Sequence, residues 1–435
     1  MLPDPPLIAI ADAAAHLGRT VVFQGWVRRR RSSGKVRFLV LRDGTGDVQG
    51  ILDTGQADLE TIRAFEQLTV ETSLRMTGNL RADSRAPGGV EIEIQSLRIF
   101  QVAADYPITP KEHGTAFLMA HRHLWLRSSR QQAIQRVRHE LSREIRNFLN
   151  QRGFLELDAP VLTANACEGT STLFETRYFD QGSAYLTQSG QLYMEAGALA
   201  FGKVYCFGPA FRAEKSKTRR HLTEFWMVEP EWAFAELEEV MQLVEKLVVY
   251  VVQRVLETRR PELALLERDL QGLKGVAPPF PRLSYAEAVA ILKERGFPIS
   301  FGDDLGGDEE TVLASLYDRP VFIHRYPAEC KAFYMKRDPE QHQLVLNLDL
   351  LAPEGYGEIV GGSQREDDLE ALRARMAEQG IPETELDWYL DLRRYGSVPH
   401  GGFGLGLERL VSWVCGLTHV REAIPFPRTL YRLYP

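Results

Sequence analysis

The 435 residues, 44% hydrophobic and 26% charged, suffice for two or three domains with a sizeable core. A formal net charge of −7 speaks against a protein that coats nucleic acid wholesale, though not against one local basic face. Four scattered cysteines without a CxxC pair argue against a zinc site or a disulfide framework and fit a reducing, cytoplasmic setting, and no apolar run approaches the length of a membrane span.

From Thr20 to about Gln101 the runs VVFQGWVRRRR, KVRFLVLRD, VQGILD, SLRMTGNLRA and VEIEIQSLRIF alternate or are β-branched, with SSGK, DGTGD and DSRAPGG between them. Five strands in roughly eighty residues predict a small closed barrel, for which the OB-fold is the common five-stranded type, or else a fragment of a sandwich. DYPITPKEHG (105–114) reads as a linker, so the expected domains are 1–104, a hinge over 105–127, and 128–435. Apolar residues at Ile134, Val137, Leu141, Ile145 and Phe148 predict a helix between Ser128 and Gly153. Strand-like segments follow, then a second amphipathic helix, ELEEVMQLVEKLVVYVVQRVLE, then strands again up to GGFGLGLERLVSWVCG. Strands in long succession flanked by helices predict an α+β antiparallel sheet rather than a doubly wound one.

FRAEKSKTRRHLTEFW (211–226) sets a cationic loop between two apolar runs. Residues two apart in a strand face one side, so Arg212 and Glu214 would point together, the Arg forking onto a phosphate or carboxylate. The plainer alternative is a buried ion pair beside a solvated basic loop. GGFGLGLERLV (401–411) puts Arg409 near the start of an apolar helix behind glycines that admit a ligand or merely tight packing.

Together with FLELDAPVL (154–162), these stretches resemble the three signature motifs of class II aminoacyl-tRNA synthetases, in the right order. The barrel ahead of them is similar to that of the aspartyl/asparaginyl/lysyl subgroup, and GEIVGGSQRE and YLDLRRYGSVPHGGFGLGLERL look like its asparaginyl branch. The resemblance runs from Val21 to the end. It implies ATP-dependent attachment of asparagine to tRNA(Asn) through an adenylate. Arg212 would hold the α-phosphate, Glu214 the adenine amino group, and Arg220 and His221 the outer phosphates. Phe225 would stack under adenine and Arg409 would cover its far side. Glu358 and Asp349 would bind Mg²⁺, although Gly361 stands where the aspartyl branch has a Ser. The first motif implies a homodimer.

In TQSGQLYM (187–194), Met194 stands where aspartyl enzymes carry a Lys for the substrate's side-chain carboxylate. An unpaired buried charge costs roughly 3–5 kcal/mol, which favours the amide, unless Met194 is simply core packing. Arg365 would then donate to the amide oxygen and Glu224 accept from its nitrogen, with Glu168, Ser189 and Gln191 around the α-amino group. In the barrel, Arg28, Phe38 and Gln49 would meet the anticodon, with Phe38 as a stacking platform or, alternatively, a core residue. An aspartyl enzyme of relaxed tRNA choice, and a paralogue making free product or only binding RNA, are the competing readings.

Overall fold

The computed structural model describes residues 4–164 and 173–435. It divides into two compact units, Met1–Gly114 and Thr115–Pro435. In the first, β1 (Thr20–Ser33), β2 (Val36–Arg42), β3 (Asp47–Asp53), β4 (Ser73–Ala82) and β5 (Val90–Gln101) form a closed barrel in the order β1-β2-β3-β5-β4. β1 pairs with both β2 and β4, so the sheet closes on itself and the sandwich alternative falls away. Alternate residues such as Val21 and Phe23, Leu39 and Leu41, and Leu74 and Met76 are fully buried, as period-two patterning requires. Helix α1 (Leu59–Gln67) adds Phe65 to that core, and Asp58 caps it by accepting from the Thr61 N–H at 2.7 Å.

The second unit begins with α2 (Thr115–Ala120), α3 (Arg122–Trp125) and α4 (Ser129–Asn150). Its sheet takes β6 (Leu155–Glu156), while β7 (Leu162–Thr163), β8 (Glu175–Arg177) and β9 (Ser183–Leu186) make a separate three-stranded sheet. Then come α5 (Gln191–Phe201), β10 (Lys203–Phe211), β11 (Glu224–Ala233) and α6 (Leu237–Thr258). The chain continues through α7 (Arg260–Leu265), α8 (Leu270–Lys274), β12 (Arg282–Ser284), α9 (Tyr285–Glu294) and α10 (Gly307–Ala314). β13 (Val321–His324), β14 (Asn347–Ala352), β15 (Gly357–Gln364), α11 (Leu369–Glu378), α12 (Asp387–Arg394), β16 (His400–Gly406) and α13 (Leu407–Cys415) complete it.

The main sheet has eight strands in the order β12-β13-β14-β15-β16-β11-β10-β6. Its pairs are antiparallel from β13 to β10 and parallel at the two edges. Strand alternation gives the two faces different work. Val228, Leu348, Leu350, Val360 and Leu405 face a core shared with α4, α6 and α13, while their neighbours Met227, Glu229, Asp349, Gly361 and Gly404 face a cleft. Between α6 and α9, Leu263, Leu266, Leu273, Val276 and Phe280 join the same core, so that stretch pads the sheet.

Candidate active site

The loop between β10 and β11 is pinched at its neck, where the Arg212 N–H donates to the Thr223 carbonyl at 3.1 Å. Arg212, at the end of β10, places its guanidinium 5.6 Å from the centre of the Phe225 ring. Arg409, in the first turn of α13, donates to the Glu358 carboxylate at 2.8 Å and to the Glu358 carbonyl at 2.9 Å. Arg220 reaches out of the loop to Glu310 at 3.1 Å, to the Gly355 carbonyl at 2.6 Å and to the Thr311 hydroxyl. These side chains, with His221, Leu222, Met227 and Val420, line an open cavity of about 590 Å³. Arg212, Arg220, His221, Phe225, Glu358 and Arg409 are thus brought together; Glu214 lies past the end of β10 and is not part of that wall. Burial, together with Arg409 and Arg212, holds His221 below its usual range, so the three guanidinium groups carry the cavity's positive charge.

A second cavity of about 1110 Å³ adjoins the first, sharing Arg212, Met227, Glu358 and Gly404. Arg365 is its deepest cation. It forks onto Glu231, with one contact at 3.2 Å, and donates to the Ser363 hydroxyl at 2.7 Å. Burial alone would lower the Arg365 pKa, but the Glu231 and Glu195 carboxylates raise it. A Cβ on Gly402 would fall 2.2 Å from the Glu231 carboxylate, so only glycine in β16 lets this pair lie flat on the sheet. Glu229 accepts from the Gly190 N–H at 2.8 Å and from the Ser189 hydroxyl, which holds Ser189 behind the cavity wall, whereas Gln191 is part of that wall.

Three further residues that the sequence singles out are placed as follows. Glu224 lines neither cavity: residues 225, 227, 229 and 231 of β11 alternate onto the cleft side, and Glu224 has the opposite parity, opposite Phe211 and bridged to Arg428. Glu229 and Glu231 stand in the amino-acid cavity instead, and the alternation in FWMVEPEW was the signal that could have found them. Met194 is buried with Ala198, Val204 and Cys206, away from the cavity wall. Asp349 is held by Lys331, 3.3 Å away, and Lys331 also reaches Asp304 at 3.1 Å. Glu168 lies outside the described residues.

Asp349 and Glu358 flank Gly361, where a Cβ would come 3.1 Å from a Glu358 carboxylate oxygen and 3.5 Å from one of Asp349. Among the described residues no group of three or more His, Cys, Asp or Glu side chains could enclose a metal ion. Mg²⁺ commonly keeps several waters and uses one or two carboxylates plus phosphates, and this pair fits that demand. Burial pushes Asp349 up to about 6 against the pull of Lys331, with Glu358 adding to the rise. Burial opposes the charge on Glu358 as well, but Arg409 and Lys331 hold it below the usual range. Burial and the nearby Glu358 push Glu310 up to about 7.

On the barrel, Phe38 and Gln49 line a shallow cavity of about 860 Å³ with Arg29, Arg30, Arg31 and Arg85. Phe38 is half-buried on this outer wall, with the Arg31 guanidinium 4.2 Å from its ring centre. Gln49 donates to Glu91 at 3.2 Å. Arg28 is not part of the wall: the register of β1 shifts between Val27 and Arg29, and Arg28 pairs with Asp47 at 2.9 Å. A bulge re-aims one side chain in a run of four identical ones, which the sequence RRRR does not reveal.

Residues 114–430 match the family model of class II tRNA synthetases (D, K and N), and residues 21–100 match that of the OB-fold nucleic acid binding domain. An asparagine–tRNA ligase of Sorangium cellulosum is 56% identical over 449 aligned residues, covering 100% of both chains. One of Thermus thermophilus is 56% identical, covering 98% of this chain and 100% of its own. Among solved structures, the asparaginyl-tRNA synthetase of Pyrococcus horikoshii complexed with asparaginyl-adenylate matches with a TM-score of 0.95 and 47% identity, over 98% of this chain and 99% of that one.

Proposed function

This chain belongs to the class II tRNA synthetases of the D, K and N group, and from that premise we propose how its cleft works. The reaction is the ATP-dependent attachment of asparagine to tRNA(Asn) through an asparaginyl-adenylate. The single observation that carries our reading of the cleft is the wall its two cavities share. Arg212 and Glu358 belong to both, so a nucleotide in the first and an amino acid in the second meet at the Arg212 guanidinium.

Adenine lies on Phe225 with Arg409 on its far side, and Arg220 and His221 meet the outer phosphates. Arg220 must then exchange Glu310 for phosphate oxygens. The asparagine carboxylate attacks the α-phosphorus in line, the bond to the bridging oxygen of the β-phosphate breaks and diphosphate leaves, and Arg212 stabilises the charge that develops there; no nucleophilic side chain is needed. Arg365 donates to the side-chain amide oxygen, while Glu231, engaged with Arg365 and facing the same cavity, takes the acceptor role first assigned to Glu224. Glu229 and Gln191 face the α-ammonium group. In the second step a terminal ribose hydroxyl of tRNA attacks the adenylate and AMP leaves. Mg²⁺, held by Glu358 with Asp349, would neutralise the triphosphate.

The anticodon meets Phe38 and Gln49, with Arg29, Arg30 and Arg31 on its phosphates. A homodimer belongs to the same reading, supported by Leu155, Val161 and Leu162, which leave 47%, 38% and 44% of their surface exposed within the first motif. So does a cytoplasmic location; no described helix is long and apolar enough to cross a membrane. The deciding experiment is amino-acid-dependent exchange of pyrophosphate into ATP. Exchange with asparagine alone is expected, and exchange with aspartate would promote the aspartyl reading.

A further inference from the structure

We propose that Glu195, outside the cleft wall, is a positioning residue that dictates which atom Gln191 presents to the α-ammonium group of the amino acid. The inference rests on the substrate reading above. Glu195 lies on α5 one turn after Gln191, and its side chain is wholly inaccessible. Four side chains converge on its carboxylate. The Tyr389 hydroxyl donates at 2.7 Å, Arg393 Nη2 at 2.8 Å and Gln191 Nε2 at 3.1 Å, and His400 Nε2 stands at 3.0 Å. Arg393 is fixed in turn on the Glu366 carbonyl at 2.8 Å, and His400 faces the Val398 carbonyl at 2.8 Å.

An ionised carboxylate only accepts hydrogen bonds, whereas an amide has a donating end and an accepting end. Burial works against the charge on Glu195, but Arg393 and His400 hold its carboxyl well below the usual range, so it has no proton to offer. Were the Gln191 amide reversed, two acceptors would face each other in a dry interior, with a hydrogen bond lost and neither group satisfied. Chemistry therefore sets the orientation. The NH₂ is committed to Glu195, and the oxygen is what Gln191 has left for the cavity it lines. Just before it in sequence, Ser189 and Gly190 are gripped by Glu229, also on the cavity wall. An amide oxygen and a carboxylate facing one space suit a cationic amine and repel a carboxylate. α12 and the start of β16 thus act on the substrate through one carboxylate without touching it.

The test replaces Glu195 with its neutral isostere, which lets the Gln191 amide turn. In pyrophosphate exchange, Glu195→Gln is expected to raise KM for asparagine about 10-fold. KM for ATP, and the inhibition constant of succinamic acid (asparagine without its α-amino group), should change less than about twofold. Unchanged KM for asparagine, or equal weakening of asparagine and succinamic acid, overturns the proposal. If thermal melting shows that Glu195→Gln does not fold, Glu195→Asp keeps the charge for Arg393 and His400 but withdraws it from Gln191. That variant must show the same selective rise, and its absence overturns the proposal equally. Wild-type enzyme inert toward asparagine would overturn the substrate reading itself and this inference with it.

Discussion

At the nucleotide end of the cleft, the Arg409–Glu358 pair leaves 25% and 33% of its side chains exposed, whereas at the amino-acid end Arg365–Glu231 leaves 2% and 0%. The first pair can trade partners cheaply, because water screens whichever charge is released. That suits a site that takes up a triphosphate and must let diphosphate go. The second pair cannot open without stranding a charge in a dry interior, so it is built before the substrate arrives. The contrast separates binding that exchanges ions from recognition that is preorganised, and each of the following experiments can break or sharpen it.

The largest effect should come from Arg365→Met, which leaves Glu231 buried and unpaired. An unfolding free energy lower by about 3–5 kcal/mol is expected, read as an earlier urea midpoint, together with loss of asparagine activation. Unchanged stability would mean the amino-acid end is as forgiving as the other. Arg212→Ala should be the mirror image: adenylate formation falls about 10²–10³-fold while the urea midpoint hardly moves. Retained exchange activity would remove Arg212 from the mechanism.

Phe38→Ala moves the question to the barrel. Losing one stacked base costs about 1–3 kcal/mol, so charging of tRNA should weaken by roughly tenfold or more while pyrophosphate exchange stays intact. Equal loss of both would indicate a fold defect instead. The smallest effect concerns His419, behind the nucleotide end, which burial and Arg421 hold down at about 4 against an ordinary 6.5. Unfolded chains take this proton near 6.5 and the native state only near 4, so native stability falls as pH drops through that window. Asn at 419 can still accept from the Arg421 N–H, as His419 does at 3.2 Å. His419→Asn should therefore make the melting temperature less sensitive to pH between those values, and an unchanged slope would mean that His419 titrates normally.

Much of this was legible in the sequence because it is local. Period-two alternation placed the five barrel strands, helical spacing placed α4 and α6, and the motif order placed Arg212, Phe225 and Arg409 around one cavity. Even Glu229 and Glu231 were within reach, since parity along β11 separates them from Glu224. Other features were out of reach for physical reasons. Lys331 neutralises Asp349 across neighbouring chain segments, and Glu310 meets Arg220 from a helix 90 residues away. A bulge in β1 turned Arg28 toward Asp47 while Arg29, Arg30 and Arg31 took the open wall.

The sequence by itself determined the elements, the order of the motifs and the kind of charge each one carries, because propensity and periodicity act between near neighbours. Only the tertiary structure decided which charges are compensated and which atoms face the cleft. Arg365 finds Glu231 across 134 positions, and His400 finds Glu195 across 205. Such pairs arise where the sheet brings remote strands and helices into a region without water, and burial there makes each unpaired charge too costly to keep.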